Sequence, residues 1–129
     1  MKRDLEQKLI ERWPTWFDFN GNLQHTLMPL GFEHGDGWFS LLWRLCEDLE
    51  PLVAEYQNGT THRFQVVQVK EKFGGLRFYV ENANDVIRQR IELAELESLD
   101  TCEVCGELGV SRSDGWIKTR CDAHYSLAL

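Results

Sequence analysis

The sequence predicts an α+β fold: a β-hairpin or small antiparallel sheet packed on two or three helices, with a compact module after residue 100. Three observations carry this. Trp38, Leu41, Leu42, Leu45, Cys46, Leu49 and Val53 recur at intervals of three and four, the spacing of one helix face. Phe64–Val69 and Leu76–Val80 are rich in β-branched and aromatic residues and flank Gly74-Gly75, the pattern of two strands joined by a tight turn. Four residues with metal-ligating side chains then stand in two compact pairs, Cys102-x2-Cys105 and Cys121-x2-His124.

Taken in order, residues 3–13 are expected to be helical, with Leu5, Leu9 and Trp13 on one face and Pro14 ending the run. Residues 14–36 read as irregular, because Asn20-Gly21-Asn22, Pro29-Leu30-Gly31 and Gly35-Asp36-Gly37 are turn signals. Trp16, Phe17, Phe19 and Phe32 are expected to tuck this segment onto the core. A second helix starts near Asp36, which is read as its N-cap; Pro51 kinks or restarts it. The hairpin spans 62–81, with Gly74-Gly75 supplying the positive φ angles of the turn. A third helix covers 83–100, burying Val86, Ile87, Ile91, Ala94 and Ser98. It runs almost directly into Cys102, so the expected organisation is an α+β core, 1–100, rigidly continuous with a C-terminal module, 101–129.

The 129 residues suffice for a core plus a small module. No apolar run approaches the roughly 20 residues that cross a bilayer, and MKRDLEQKLIERW has no apolar region behind its positive charge, so neither membrane span nor signal peptide is expected. Three of the four cysteines cluster and Cys46 stands alone on a helix face, a usage that suits a reducing cytoplasm. Net charge is −7, which disfavours general binding to nucleic-acid backbones. Residues 61–82 reverse the sign, with Arg63, Lys70, Lys72 and Arg77 against Glu71 and Glu81.

The two ligand pairs are separated by fifteen residues. Tetrahedral zinc takes two such pairs, each turned toward the ion by a local reversal of the chain. Gly106 after Cys105 permits that reversal, and residues 110–119 read as a hairpin with Asp114-Gly115 at its turn. Cys121 and His124 would open a short helix, 122–127. The succession of a Cys-x2-Cys turn, a hairpin and a Cys-x2-His helix start is treble-clef-like. Cys102, Cys105, Cys121 and His124 are therefore the expected ligands of one structural Zn2+, a closed sphere with no water to activate. Residues 106–120 contain no His, which argues against a nuclease of the HNH type on this scaffold.

The remaining candidates are weaker. Lys70, Lys72, Arg77 and Tyr79 on the hairpin form a candidate interaction surface, weighed against an ordinary solvated strand face. His25, His34 and His62 fall in predicted loops as surface or capping residues, and Cys46 reads as a small core residue. No phosphate-binding loop, nucleophile elbow or dinucleotide fingerprint is present, so no catalytic residue is expected.

Gly35-Asp36-Gly37-Trp38-Phe39, the Lys70–Tyr79 hairpin and the Cys102–His124 ligand pairs together resemble a group of small proteins encoded by bacteriophages, prophages and bacterial genomes. The resemblance implies a bacterial cytoplasm, including that of an infected cell. The function expected overall is a non-enzymatic, zinc-stabilised protein-interaction module, with a host defence or regulatory protein as partner. The alternative is a nucleic-acid-binding accessory protein using the 61–82 hairpin with Arg112, Lys118 and Arg120.

Overall fold

A computed structural model describes residues 1–113 and 115–125. Among these residues the chain is α+β, with three α-helices, a three-stranded mixed sheet and a separate two-stranded sheet beside the Cys/His cluster. None of its described helices is long and apolar enough to cross a membrane.

Helix α1 spans Arg3–Arg12 and buries Leu9. Trp13 follows with its N–H on the Leu9 carbonyl at 2.9 Å, and its indole donates to Glu50 at 2.7 Å. This binds the helix end to α2, Phe39–Asn58, whose apolar face buries Leu41, Leu42, Leu45, Cys46, Leu49 and Val53 of the expected stripe; Trp38 is buried just before it. A 3-10 turn, Asp36–Trp38, leads into α2. Asp36 is not its N-cap: its carboxylate accepts the Lys2 backbone N–H at 2.7 Å instead. Pro51 neither restarts nor ends α2, which runs through it. An interior proline costs about 3 kcal/mol of helix stability; burial of Leu49 and Val53 on either side offsets that cost.

Strands β2, Gln65–Lys72, and β3, Gly75–Glu81, form the expected hairpin. Its two loop residues are Phe73 at φ 54° and Gly74 at φ 82°, both left-handed as a type I′ turn requires. Gly75 is instead the first residue of β3, paired with Lys72.

The 14–36 segment is more ordered than expected. It lies along the free edge of β2, where Phe17 bridges Val66 and β1, Phe32–Glu33, pairs in parallel with Val69 and Lys70. The sheet is therefore mixed rather than antiparallel. A register shift between Val66 and Gln68 accompanies a Val67 carbonyl that accepts the Leu27 N–H at 2.7 Å. Trp16, Phe17 and Phe32 are buried, and Phe19 packs against them.

Helix α3, Asp85–Ser98, is capped by the Asn84 side chain, which accepts the Ile87 N–H at 3.0 Å. It covers the other sheet edge, where Ser98 Oγ accepts the Leu76 N–H at 2.9 Å and Glu95 the Phe78 N–H at 3.0 Å. Ile87, Ile91, Ala94 and Ser98 are buried as expected; Val86 is not, at 54% exposure, because it sits on the opposite side of the helix.

Candidate metal centre

The first ligand pair is shaped by a backbone knuckle. Cys102 N–H donates to Glu107 O at 2.8 Å, and Gly106 N–H donates to Cys102 O at 2.9 Å. Gly106 has φ 84°, so the chain reverses immediately after Cys105 in a conformation that favours glycine. Strands β4, Val110–Arg112, and β5, Lys118–Arg120, then pair antiparallel and deliver Cys121 back to the knuckle. A 3-10 turn, Asp122–His124, with His124 N–H on Cys121 O at 3.2 Å, swings the imidazole over Cys121. Asp114 of the expected hairpin turn and the last part of the expected 122–127 helix lie outside the described residues.

One ligand atom from each of Cys102, Cys105, Cys121 and His124 lies within 4.8 Å of all the others. His124 Nδ1 is 3.2 Å from Cys121 Sγ and 3.8 Å from Cys102 Sγ, and the Cys105 and Cys121 sulfurs are 3.7 Å apart. A tetrahedron with metal–sulfur bonds of about 2.3 Å has edges of about 3.8 Å between sulfurs and about 3.5 Å between sulfur and nitrogen. The four donors are thus spaced to hold one metal ion. A disulfide, with sulfurs about 2.05 Å apart, is not formed; all four cysteines are free.

The thiols show what the cluster demands. Burial opposes charge on Cys102, but the N–H groups of Cys121, Cys105 and Val104 and the His124 ring outweigh it, bringing the thiol down to about 6. At Cys105 the Glu107 N–H favours the thiolate, yet burial and the Cys121 and Cys102 sulfurs hold its pKa above the ordinary value. A cation bound among them would favour the thiolate forms of these ligands. Cys46 has no part in this: full burial holds its thiol far above the usual range, and it is inert core.

The module grips the core through hydrogen bonds between segments far apart in sequence. Gly37 N–H donates to Glu103 O at 2.7 Å, Gly35 N–H to Glu103 Oε2 at 2.8 Å, and the Trp38 indole to Thr101 O at 2.9 Å. A Cβ on Gly37 would stand 2.1 Å from Cys102 O, and one on Gly35 2.4 Å from Glu103 O. The Gly35-Asp36-Gly37 stretch therefore exists to let two backbones touch. On the far side, Thr119 Oγ1 donates to Gly74 O at 2.6 Å, and Lys118 meets Glu71 at 2.6 Å. The register turns Glu71 to the same face as Leu76, toward the module.

Arg112, Lys118 and Arg120 do not form the basic surface expected of them. Arg120 is buried, 3.9 Å from the buried Glu103 carboxylate; Lys118 is held by Glu71; Arg112 pairs with Asp122 at 2.8 Å and lies over the Tyr125 ring. β5 buries consecutive side chains, Thr119 and Arg120, so no alternation in the sequence marks Arg120 as buried.

On the hairpin, Lys70 opposes Arg77 and Gln68 opposes Tyr79, so Lys70, Lys72, Arg77 and Tyr79 share the outer face of the sheet. His25 and His62 are exposed. His34 is not a surface residue: it is buried among Phe32 and Trp38, with Nδ1 2.7 Å from Gly35 O. Burial lowers its pKa to about 4 against the opposing pull of that carbonyl, so the ring is neutral near pH 7.

No family model, no curated protein and no solved structure matches this chain.

Proposed function

We propose that the chain is a non-enzymatic binding protein in which one structural Zn2+, held by Cys102, Cys105, Cys121 and His124, fixes a recognition surface for another protein. Three thiolates and one imidazole favour zinc among the divalent ions, and four protein ligands leave no position for a substrate or reactive water. Knuckle, hairpin and turn follow in treble-clef order, and the 101–129 module acts as a rigid extension of the 1–100 core.

The observation that carries the reading is Phe73. It sits at the hairpin tip with φ 54° and is 67% exposed. A left-handed residue other than Gly, Asn or Asp costs about 1–2 kcal/mol, and Asn-Gly is the favoured type I′ pair. Folding alone disfavours an exposed, strained phenylalanine here; such strain clusters at functional sites. The zinc hairpin packs beside it, with Ile117 Cγ2 3.4 Å from where a Cβ on Gly74 would lie, and Trp116 on that hairpin is 87% exposed. Lys72 Nζ lies 5.7 Å from the Phe73 ring centroid. Exposed aromatics beside a cation are the composition of interface hot spots. The bacterial or phage-infected setting, with a host defence or regulatory protein as partner, completes the reading.

Affinity capture from nuclease-treated bacterial lysate tests it. The wild-type chain is expected to retain a stoichiometric protein that Phe73→Asn and Trp116→Ala both lose. Phe73→Asn should meanwhile unfold at higher denaturant, its stability raised by about 1 kcal/mol. Capture unaffected by either change, or capture that vanishes with nuclease, sinks the proposal.

A further inference from the structure

The four donors of the metal cluster are not equally protected. Cys102 is buried and Cys121 and His124 are half-buried, whereas Cys105 is exposed, with exposed Gly106 and Glu107 after it. The Cys105 and Cys121 sulfurs stand 3.7 Å apart. With a cation bound, every ligand sulfur is held as thiolate, so access decides which of them meets an oxidant. The hydrogen bonds that seat the module run elsewhere. Glu103 accepts from Gly35 and Gly37, Thr101 O accepts from the Trp38 indole, and Thr119 Oγ1 donates to Gly74 O. None of these passes through Cys105, Cys121 or His124.

We propose, resting on the zinc reading above, that Cys105 is a peroxide-reactive modification site and that Cys121 resolves it into a reversible disulfide. The Cys105 thiolate attacks one oxygen of hydrogen peroxide; an S–O bond forms, the O–O bond breaks and hydroxide leaves. The Cys121 thiolate then attacks the Cys105 sulfur; an S–S bond forms, the S–O bond breaks and a second hydroxide leaves. Each sulfur gives up one electron, the peroxide takes both, and solvent protonates the two hydroxides to water. Cys121 is the resolving partner because its sulfur is close and half-open, whereas Cys102 is enclosed. From 3.7 Å the two sulfurs need to approach by about 1.7 Å to reach the roughly 2.05 Å of a disulfide. The new bond keeps one edge of the ligand tetrahedron and gives up the others. The knuckle and the end of β5 stay joined, but two of four ligands are consumed, so the metal is released. The 3-10 turn Asp122–His124 then loses the anchor that holds its imidazole over the cluster.

Graded hydrogen peroxide, added to the full chain once its zinc content has been measured, tests this. A chromogenic chelator reports metal release, and peptide mapping without reductant reports the linkage. One zinc per chain is expected to leave as a Cys105–Cys121 disulfide forms, with the Cys46 and Cys102 thiols still open to alkylation after unfolding. Dithiothreitol with added Zn2+ should reverse both changes. Hydrogen exchange should lose protection in 122–125 and keep it in β5, unlike chelation, which removes every link at once. Cys105→His, which puts another zinc ligand in place of the sulfur, should abolish release by peroxide. If that variant takes up no zinc, the wild-type linkage map decides. A disulfide to Cys102 or Cys46 overturns the proposal, as does Cys105 carried to sulfinic acid with Cys121 still reduced. Release from zinc-loaded Cys105→His at the wild-type rate does the same. A loaded wild-type chain that keeps its zinc under peroxide sinks this proposal alone and leaves the zinc reading standing. A chain unable to bind zinc overturns that reading and this proposal with it.

Discussion

Gly37→Ala is the sharpest test of how the metal module is joined to the core. The added Cβ would lie 2.1 Å from Cys102 O and 2.6 Å from the Glu103 carbonyl carbon, against 3.4 Å for ordinary contact. Both obstacles are backbone, so no side chain can swing aside, and the two strands of chain must separate by about 1 Å. Three hydrogen bonds cross that contact, Gly37 N–H to Glu103 O at 2.7 Å, Gly35 N–H to Glu103 Oε2 at 2.8 Å and Trp38 Nε1–H to Thr101 O at 2.9 Å. Stretched by about 1 Å they pass beyond hydrogen-bonding range. Two neutral bonds contribute about 1 kcal/mol each and the bond to the Glu103 carboxylate about 2, so the loss should be about 3–5 kcal/mol. For a chain of this size that lowers Tm by roughly 10–20 °C. Thermal unfolding of the metal-loaded protein, with metal content measured by mass spectrometry, reads both halves. Gly59→Ala is the control: a Cβ there meets only Tyr56 O at 3.9 Å, and its effect should lie between zero and a gain of about 1 kcal/mol. Should Gly37→Ala melt within about 2 °C of wild type with its metal intact, the knuckle does not bear on the core as described.

Three further predictions follow from particular residues. Exhaustive chelation should release one metal per chain and collapse amide protection in 101–125, since apparent binding energies of about 10–16 kcal/mol for structural zinc exceed what the small module can supply without it; hydrogen exchange before and after removal shows whether it does. His34, with its folded pKa near 4 below the ordinary 6.5, binds fewer protons folded than unfolded between those values. Its contribution is complete above about pH 6.5 and lost as pH falls toward 4, about 2 kcal/mol of it by pH 5. Urea unfolding at pH 7 and 5 should show that difference shrinking in His34→Gln, and an unchanged slope would refute the assignment. Pro51→Ala should stabilise by about 1–3 kcal/mol, restoring an α2 hydrogen bond in an exposed position; a lower denaturation midpoint would show that Pro51 relieves a strain not visible in the helix.

Whatever depends on local spacing is legible in the sequence. Helical periodicity placed α1, α2 and α3, β-branched alternation placed β2 and β3, and the two ligand pairs identified all four donors that the fold converges. Each is a short-range signal, repeated every two to four residues along one element or confined to one turn. The sequence places the hairpin turn one residue late, because two adjacent glycines are equally free and only the pairing of Lys72 with Gly75 decides which one turns. What joins distant segments was not legible. Strand β1 is two residues long and exists only because the 14–36 segment lies along β2; Gly37 matters because Cys102 O arrives 2.1 Å from its missing Cβ; and His34, an apparent loop histidine, is buried by Phe32 and Trp38. Arg120 turned from a candidate surface charge into a buried neighbour of Glu103, and Val86 from the expected buried side of α3 to solvent, for the same reason. Burial is a property of what the tertiary structure brings against a residue, and one chain's local pattern carries the periodicity of an element but not the identity of its neighbours.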